Sequence, residues 1–304
     1  MLFPLNEELL ANKLEIDLKT LGFFVTCLRQ KDKELPKLYT KKTIRAGRKV
    51  RIAWSANSAL RRVQGNIKEM LERAMVRAPE SYAYELGICA KDAAQQLSGW
   101  KYIYAWDIKN HFGSIKLDTI KEVLERAGAG TKVSYYIARL CCVNYKHMDI
   151  LAQGTCTAPI VANRVSEAVL DPVVKAYLEE GDKYLRYSDN LFIATNRVKP
   201  RGFIQKVSDD VLHHTGWICH KTKFMPYYRQ QKVLGMTVNQ RPNIPKKVWD
   251  NLKAEFHCAY LEGKVGEKRY LVLQGKAAYW EGMLSPMRRR YLNTVLQALG
   301  GVNA

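Results

Sequence analysis

Apolar positions recur with a helical period in several stretches of the chain. The clearest run begins at Ser58, where Leu60, Val63, Ile67, Leu71 and Ala74 share one face. Arg61, Arg62, Lys68, Glu69 and Arg73 fall off that face, the pattern of a surface helix laid on a core. Residues 6–26 carry a similar pattern and predict one amphipathic helix. A helix starting near Leu117 is predicted to end at Gly128, a suitable C-terminal glycine. Another is predicted over 159–180, with Pro159 in its first turn and Gly181 after its end. Strands are predicted for residues 101–106 (KYIYAW), 184–188 (YLRYS), 191–195 (LFIAT) and Lys232 to Asn239. Asp189-Asn190 joins the second and third of these as a two-residue hairpin turn, because Asp and Asn tolerate positive φ. Lys31 to Ile52 is polar and basic, with Pro36 and Gly47, and predicts loops and short strands. This order of elements predicts an α+β core around an antiparallel sheet, with a mostly helical lobe after residue 240.

Charge changes the picture most. The 304 residues carry 49 Lys+Arg against 29 Asp+Glu, a net charge of +20. Self-repulsion of that size destabilises a compact state unless a polyanion compensates it, so nucleic acid is the expected partner. The basic residues are spread along the chain, with denser stretches at Lys37 to Arg51, Lys199 to Lys247 and Arg288 to Arg290. That distribution suits a protein that cradles a duplex rather than one with a basic tail. Seven cysteines without a CxxC pair argue against a disulfide framework or zinc ribbon. His213, His214, Cys219 and His220 match no standard zinc spacing. The N-terminus lacks a basic region before an apolar run, and no apolar run approaches ~18 residues. A cytoplasmic protein with no membrane association is the expectation.

Two acids sit at strand ends in apolar surroundings: Asp107 closes KYIYAW, and Asp189 lies at the tip of the YLRYS/LFIAT hairpin. Neighbouring strands of one sheet would bring both carboxylates to one spot, where they repel unless cations lie between them. A pair of divalent ions roughly 3.5–4 Å apart is the arrangement used for phosphoryl transfer. Taken singly, each acid reads more readily as an ordinary residue, Asp107 as a helix or loop cap and Asp189 as a turn residue.

Three blocks taken together resemble the palm motifs of reverse transcriptases. Asp107-Ile108-Lys109-Asn110-His111-Phe112 resembles the first metal-binding motif, an Asp followed five residues later by an aromatic. Gln153-Gly154-Thr155-Cys156-Thr157-Ala158-Pro159 resembles the second, and Tyr187-Ser188-Asp189-Asn190 the third, with Asn190 where the family usually has a second Asp. Gly47 to Gln64 looks like the fingers segment, Gly216 to Lys223 like the fourth palm motif, Val233-Leu234-Gly235 like the primer-grip turn and Gln274 to Leu292 like a bacterial retron-type thumb. The resemblance is to bacterial reverse transcriptases of the retron-type and group II intron-like groups. Ala158 before Pro159, and Asp92-Ala93-Ala94-Gln95-Gln96 before the first motif, depart from the retron pattern.

The resemblance implies a right-hand polymerase fold: fingers with part of the palm over 1–100, palm over 101–239 and helical thumb over 240–304. It implies an RNA-directed DNA polymerase that extends a 3′-hydroxyl with dNTPs, using two Mg²⁺ ions or Mn²⁺ in their place. Asp107 and Asp189 would hold the metals, with Ile108 and Asn190 completing the set. Phe112 would exclude a 2′-hydroxyl, and Arg48, Lys49 and Arg51 would neutralise the triphosphate. Gln153 and Gly154 would touch the template and incoming base, and Lys223 would protonate the leaving pyrophosphate, with Lys221 a rival. Leu234 and Gly235 would meet the primer. Arg288, Arg289 and Arg290 stand in the first turn of a helix predicted to start at Ser285-Pro286 and to bury Leu292, Val295, Leu296 and Leu299. There they oppose the helix dipole, which contact with backbone phosphates would justify. An RNA template, a DNA product, a dedicated structured RNA and an accessory protein are the implied partners, in a retron-like or phage-defence system. An RNA-dependent RNA polymerase and a weakened RNA-binding derivative remain alternatives, the latter on account of Asn190.

Overall fold

A computed structural model describes residues 3–29, 35–46 and 49–300, with the backbone alone described for Ala46 and Lys49. In chain order the elements are α1 (Glu7–Lys13), α2 (Leu18–Arg29), β1 (Tyr39–Ala46), β2 (Lys49–Ala56), α3 (Ser58–Ala74), α4 (Ala90–Gln96), β3 (Tyr102–Ile108) and α5 (His111–Ser114). Then come α6 (Leu117–Arg126), α7 (Thr131–Cys141), β4 (Cys142–Tyr145), β5 (Met148–Leu151), α8 (Ala158–Val169), α9 (Asp171–Lys175), β6 (Lys183–Tyr187) and β7 (Asn190–Thr195). The chain continues with α10 (Phe203–Thr215), β8 (Cys219–Pro226), β9 (Lys232–Val233), β10 (Met236–Thr237), α11 (Lys246–Glu262), α12 (Glu267–Glu281) and α13 (Pro286–Gly300). The expected α+β class is borne out. Two compact units form, one from residues 1–89, 104–193 and 198–223, the other from 90–103, 194–197 and 224–304.

The first unit holds two hairpins. β1 and β2 pair antiparallel over their full length, with Lys41 opposite Trp54 and Ile44 opposite Arg51. β4 and β5 form a shorter hairpin, with Tyr145 opposite Met148. The central sheet has strand order β6-β7-β3-β8. β7 is buried at every residue after Asn190, and β3 from Ile103 to Trp106 and again at Ile108, the continuous apolar run of strands covered on both faces. α8 is itself buried from Ile160 to Ser166, so it lacks the polar stripe of a surface helix. α3 is as periodic as its sequence predicts: Asn57 caps it by accepting from the Leu60 N–H at 2.9 Å, and Leu60, Val63, Ile67 and Leu71 are buried. In the second unit α11, α12 and α13 close around Trp249, Leu252, Phe256, Leu273, Leu292, Val295 and Leu299.

Four local expectations are corrected. The helix predicted over 6–26 is two helices, because Glu15 turns to φ +56 and the Asp17 carboxylate accepts from the Thr20 N–H at 2.8 Å, starting a new helix. The helix predicted over 159–180 ends at Val169, and Pro172, without an N–H to donate, stands in the first turn of α9. The strand predicted from Lys232 to Asn239 is a hairpin, since Leu234 and Gly235 take φ +48 and +84, the two positive φ values of a tight turn. The hairpin of the YLRYS and LFIAT strands turns one residue early: Ser188, at φ +57, and Asp189 form the turn, and Asn190 begins β7.

Candidate active site

β3 runs on through Asp107, which is its half-buried point between Trp106 and Ile108. The neighbouring strand β7 follows the Ser188-Asp189 turn, and the Ile108 N–H donates to the Asp189 carbonyl at 2.8 Å. That bond fixes the two acid-bearing segments in register. Burial pushes the Asp189 carboxyl above the usual carboxylate range, and the charge of Asp107 raises it further; Lys221 and Arg51 pull the other way. Two converging acids repel in this manner.

Three other side chains answer the acids. Lys221 Nζ donates to Asp107 Oδ2 at 3.2 Å. His220 Nδ1 lies 2.9 Å from the Asp107 carbonyl and 3.2 Å from its Oδ1. Asn190 Nδ2 donates to Asp189 Oδ1 at 2.9 Å. Lys221, at φ +49, leaves the regular pleat of β8 and lines the cleft, which Lys223, two residues further on, does not. Of the two lysines weighed from the sequence, Lys221 is the one that lines this cleft. His220 was not foreseen, and nothing in CHKTK distinguishes it before the strand is seen.

The acids open onto a cleft of about 800 Å³ that Arg51, Phe112 and Gln153 also line. Phe112 sits in the short helix α5, whose entry at Asn110 is left-handed (φ +51), and meets Tyr84 edge-on at 6.3 Å. The preceding His111 is buried, with Nε2 2.9 Å from Ser166 Oγ and its ring edge-on to Trp217. Burial holds its imidazole down at about 3, so it packs as a neutral ring. The Trp54 N–H donates to the Gln153 carbonyl at 2.7 Å, seating the Gln153-Gly154 turn against β2. Gly154 has φ +102, and a Cβ there would lie 3.1 Å from both Ala53 Cβ and the Trp54 carbonyl oxygen. The turn thus packs closely against β2 of the chain itself. Arg51 is exposed, Arg48 lies outside the described residues, and only the backbone of Lys49 is described.

The sequence model of the reverse transcriptase (RNA-dependent DNA polymerase) family matches residues 39–238. The chain belongs to the reverse transcriptase family. It is an RNA-directed DNA polymerase, a nucleotidyltransferase. The retron Ec86 reverse transcriptase of Escherichia coli is 22% identical over 235 residues, covering 76% of this chain and 72% of that enzyme. A solved structure of Candida albicans telomerase with a fragment of telomeric RNA superposes with a TM-score of 0.42 at 10% identity, over 65% of this chain and 40% of that one. The resemblance drawn from the motifs is borne out, and no helix among the described residues is long and apolar enough to cross a membrane.

In this reverse transcriptase the acidic turn is held from behind by a buried ionic network. Arg186, fully buried in β6, donates through Nε to Asp171 at 2.8 Å, through Nη1 to Asn163 Oδ1 at 2.9 Å and through Nη2 to Ser81 Oγ at 3.1 Å. Its backbone pairs with the segment around Ser81, accepting from the Tyr82 N–H at 2.9 Å and donating to the Glu80 carbonyl at 2.8 Å. Arg164 bridges Glu85 and Glu167 beside it. Arg suits this position because its fork satisfies several acceptors at once. In the second unit, Leu234 and Gly235 form the tip of the β9–β10 hairpin. The Arg288 guanidinium lies 4.7 Å over the Trp249 ring, while Arg289 and Arg290 are exposed. Arg288 thus has a packing partner in the fold, which the sequence alone did not reveal.

The donors at the acids are hard oxygens: two carboxylates, nearby main-chain carbonyls and the amide oxygen of Asn190. These suit an oxygen-seeking divalent cation, the type of ion this family uses. With Asn190 where a further acid would stand, the described residues form no group of three or more His, Cys, Asp or Glu fit for a metal. The set fits the ion with one anionic ligand fewer than three acids would give.

Proposed function

We propose that the chain copies RNA by extending a primer 3′-hydroxyl with dNTPs, with Asp107 and Asp189 as ligands of two Mg²⁺ ions. The observation that carries this reading is the meeting of Asp107 and Asp189 in one cleft, where the Ile108 N–H to Asp189 carbonyl bond sets the two acid-bearing segments side by side. When bound, the ions supply activation of the attacking hydroxyl and stabilisation of the leaving pyrophosphate. The carbonyl of Ile108 and the amide oxygen of Asn190 complete the ligand set.

Lys221 takes the role of charge and proton donor to the pyrophosphate, supported by its bond to Asp107, with Lys223 second. Arg51, with Arg48 and Lys49, holds the triphosphate. Phe112 excludes the 2′-hydroxyl by bulk, Gln153 and Gly154 face the template and incoming base, Leu234 and Gly235 grip the primer, and Arg288 to Arg290 hold backbone phosphates. Residues 1–100 serve as fingers with part of the palm, 101–239 as palm and 240–304 as thumb. The setting is a cytoplasmic retron-like or phage-defence system with a structured RNA and an accessory protein, in line with the retron relative.

The test is the Mg²⁺ dependence of primer extension. Asp107→Asn should abolish it, and Asn190→Asp should move the Mg²⁺ midpoint lower by adding an anionic ligand. Mg²⁺ dependence unchanged in both variants would reject the assignment. Asn190 also favours a second reading, a weakened polymerase that acts by binding RNA; wild-type protein silent with both Mg²⁺ and Mn²⁺ but still binding RNA would support it.

A further inference from the structure

One aromatic ring in the first unit carries two cations. Lys41 Nζ lies 5.0 Å from the centroid of Tyr145, and Lys146 Nζ lies 5.7 Å from the same centroid. Lys41 comes from β1, while Lys146 follows Tyr145 in the turn between β4 and β5. Trp54, opposite Lys41 in the β1–β2 hairpin, meets Tyr145 edge-on at 5.8 Å. Beneath the two rings pack Val143, Ile150 and Ala152. Trp54, Tyr145 and Lys146 line the same cleft as Asp107 and Asp189.

A single ammonium over an aromatic face is common, at about one case per 70–80 residues. Two on one ring are different, because like charges are gathered with no acid between them. Both lysines are exposed, and among the described residues neither has a carboxylate partner. The backbone of the turn is unusual as well: Lys146 and His147 hold φ +50 and +63. A two-residue turn of this hand ordinarily takes Asn-Gly, and each non-glycine residue there costs on the order of 1–3 kcal/mol. A cation thus occupies a strained position in the lining of the cleft that holds Asp107 and Asp189.

We infer that Lys41, Lys146 and Tyr145 form a subsite for the single-stranded RNA template, the ring seating the two ammonium groups so that they meet adjoining phosphates. A cationic groove that tracks the backbone is one of the means by which single strands are gripped. Trp54 is bonded to Gln153, in the turn that the proposed function sets against the template and incoming base, and the dNTP KM separates the template from the incoming nucleotide. The inference rests on that reading.

The test is fluorescence anisotropy of a labelled RNA template with a 5′ overhang annealed to a DNA primer, titrated in EDTA without dNTP over a series of salt concentrations. Wild type is compared with the double variant Lys41→Gln/Lys146→Gln, whose positions are exposed. At roughly 0.7 per single-strand phosphate contact, the slope of log K against log salt should fall in magnitude by about 1.4, with dNTP KM in extension unchanged. Tyr145→Phe should bind like wild type, and Tyr145→Leu more weakly in a protein that melts normally. An unchanged slope in the double variant overturns the inference. An unchanged slope with a raised dNTP KM overturns it in favour of the incoming triphosphate. Because binding is read without metal, failure of the two-metal reading leaves this result distinguishable.

Discussion

The Tyr84 hydroxyl is hydrogen-bonded to the Ser188 hydroxyl at 2.9 Å, and both residues hold left-handed backbone angles, φ +62 and +57. Such angles persist in non-glycine residues where surrounding contacts over-determine them. Ser188 precedes Asp189, so the bond ties the acidic turn to the segment that also grips Arg186. The Tyr84 ring meanwhile leans on Phe112.

Tyr84→Phe removes the tie and keeps the ring. A net hydrogen bond is worth about 0.5–1.5 kcal/mol, so kcat for extension should fall roughly 2- to 12-fold. The dNTP KM should stay unchanged. Steady-state kinetics check this, and a raised KM at constant kcat would instead make Tyr84 a nucleotide-binding residue.

Gly154→Ala should destabilise the protein by about 1–3 kcal/mol, because its backbone is left-handed and its Cβ would press on β2. Urea unfolding should show a lower midpoint at the same m-value. An unshifted midpoint would mean that the Gln153-Gly154 turn is not seated as described.

Arg186→Met leaves Asp171 buried without its cation and should cost about 3–5 kcal/mol. Burial already pushes the Asp171 carboxyl up, opposed by Arg186. Without that opposition the folded pKa rises further above the unfolded value, so the deficit should shrink as pH falls. Adding Asp171→Leu should recover much of the loss, and a double variant as unstable as the single would show that the arginine acts through its other partners.

The parts of the fold legible in the sequence are those whose period and chemistry agree. α3 combines a regular apolar face with a capping Asn57, and Asp189 lies at the hairpin tip as the apolar runs predict, whereas β3 runs one residue past Asp107. Interrupted helices were not legible, because Glu15 and Pro172 break the backbone while the apolar period runs on across them. Register was hidden too: Ser188 rather than Asn190 takes the positive φ, and Lys221 rather than Lys223 reaches Asp107 because its own φ breaks the strand alternation. Tyr84 and Arg186 act through residues about a hundred positions away, at Ser188 and Ser81 respectively, a distance no local pattern can bridge.

Asp189→Asn should stabilise the metal-free protein at neutral pH. The folded pKa of Asp189 is raised above its ordinary 3.8, so its contribution to stability is greatest below that value and is lost as pH rises through the folded pKa. Asn carries no such loss. The variant should melt above wild type at pH 7 in EDTA, with the gap closing as pH falls towards 3.8. Mg²⁺ at pH 7 should raise the melting temperature of wild type more than that of the variant. Equal melting curves at every pH would contradict the burial of Asp189 beside Asp107.

The most direct measurement is primer extension on a defined RNA template with dNTPs or rNTPs, wild type beside Asp189→Ala. Wild type should extend with dNTPs in preference to rNTPs, and Asp189→Ala should not extend at all. Extension by Asp189→Ala at the wild-type rate would contradict a catalytic centre built on Asp107 and Asp189.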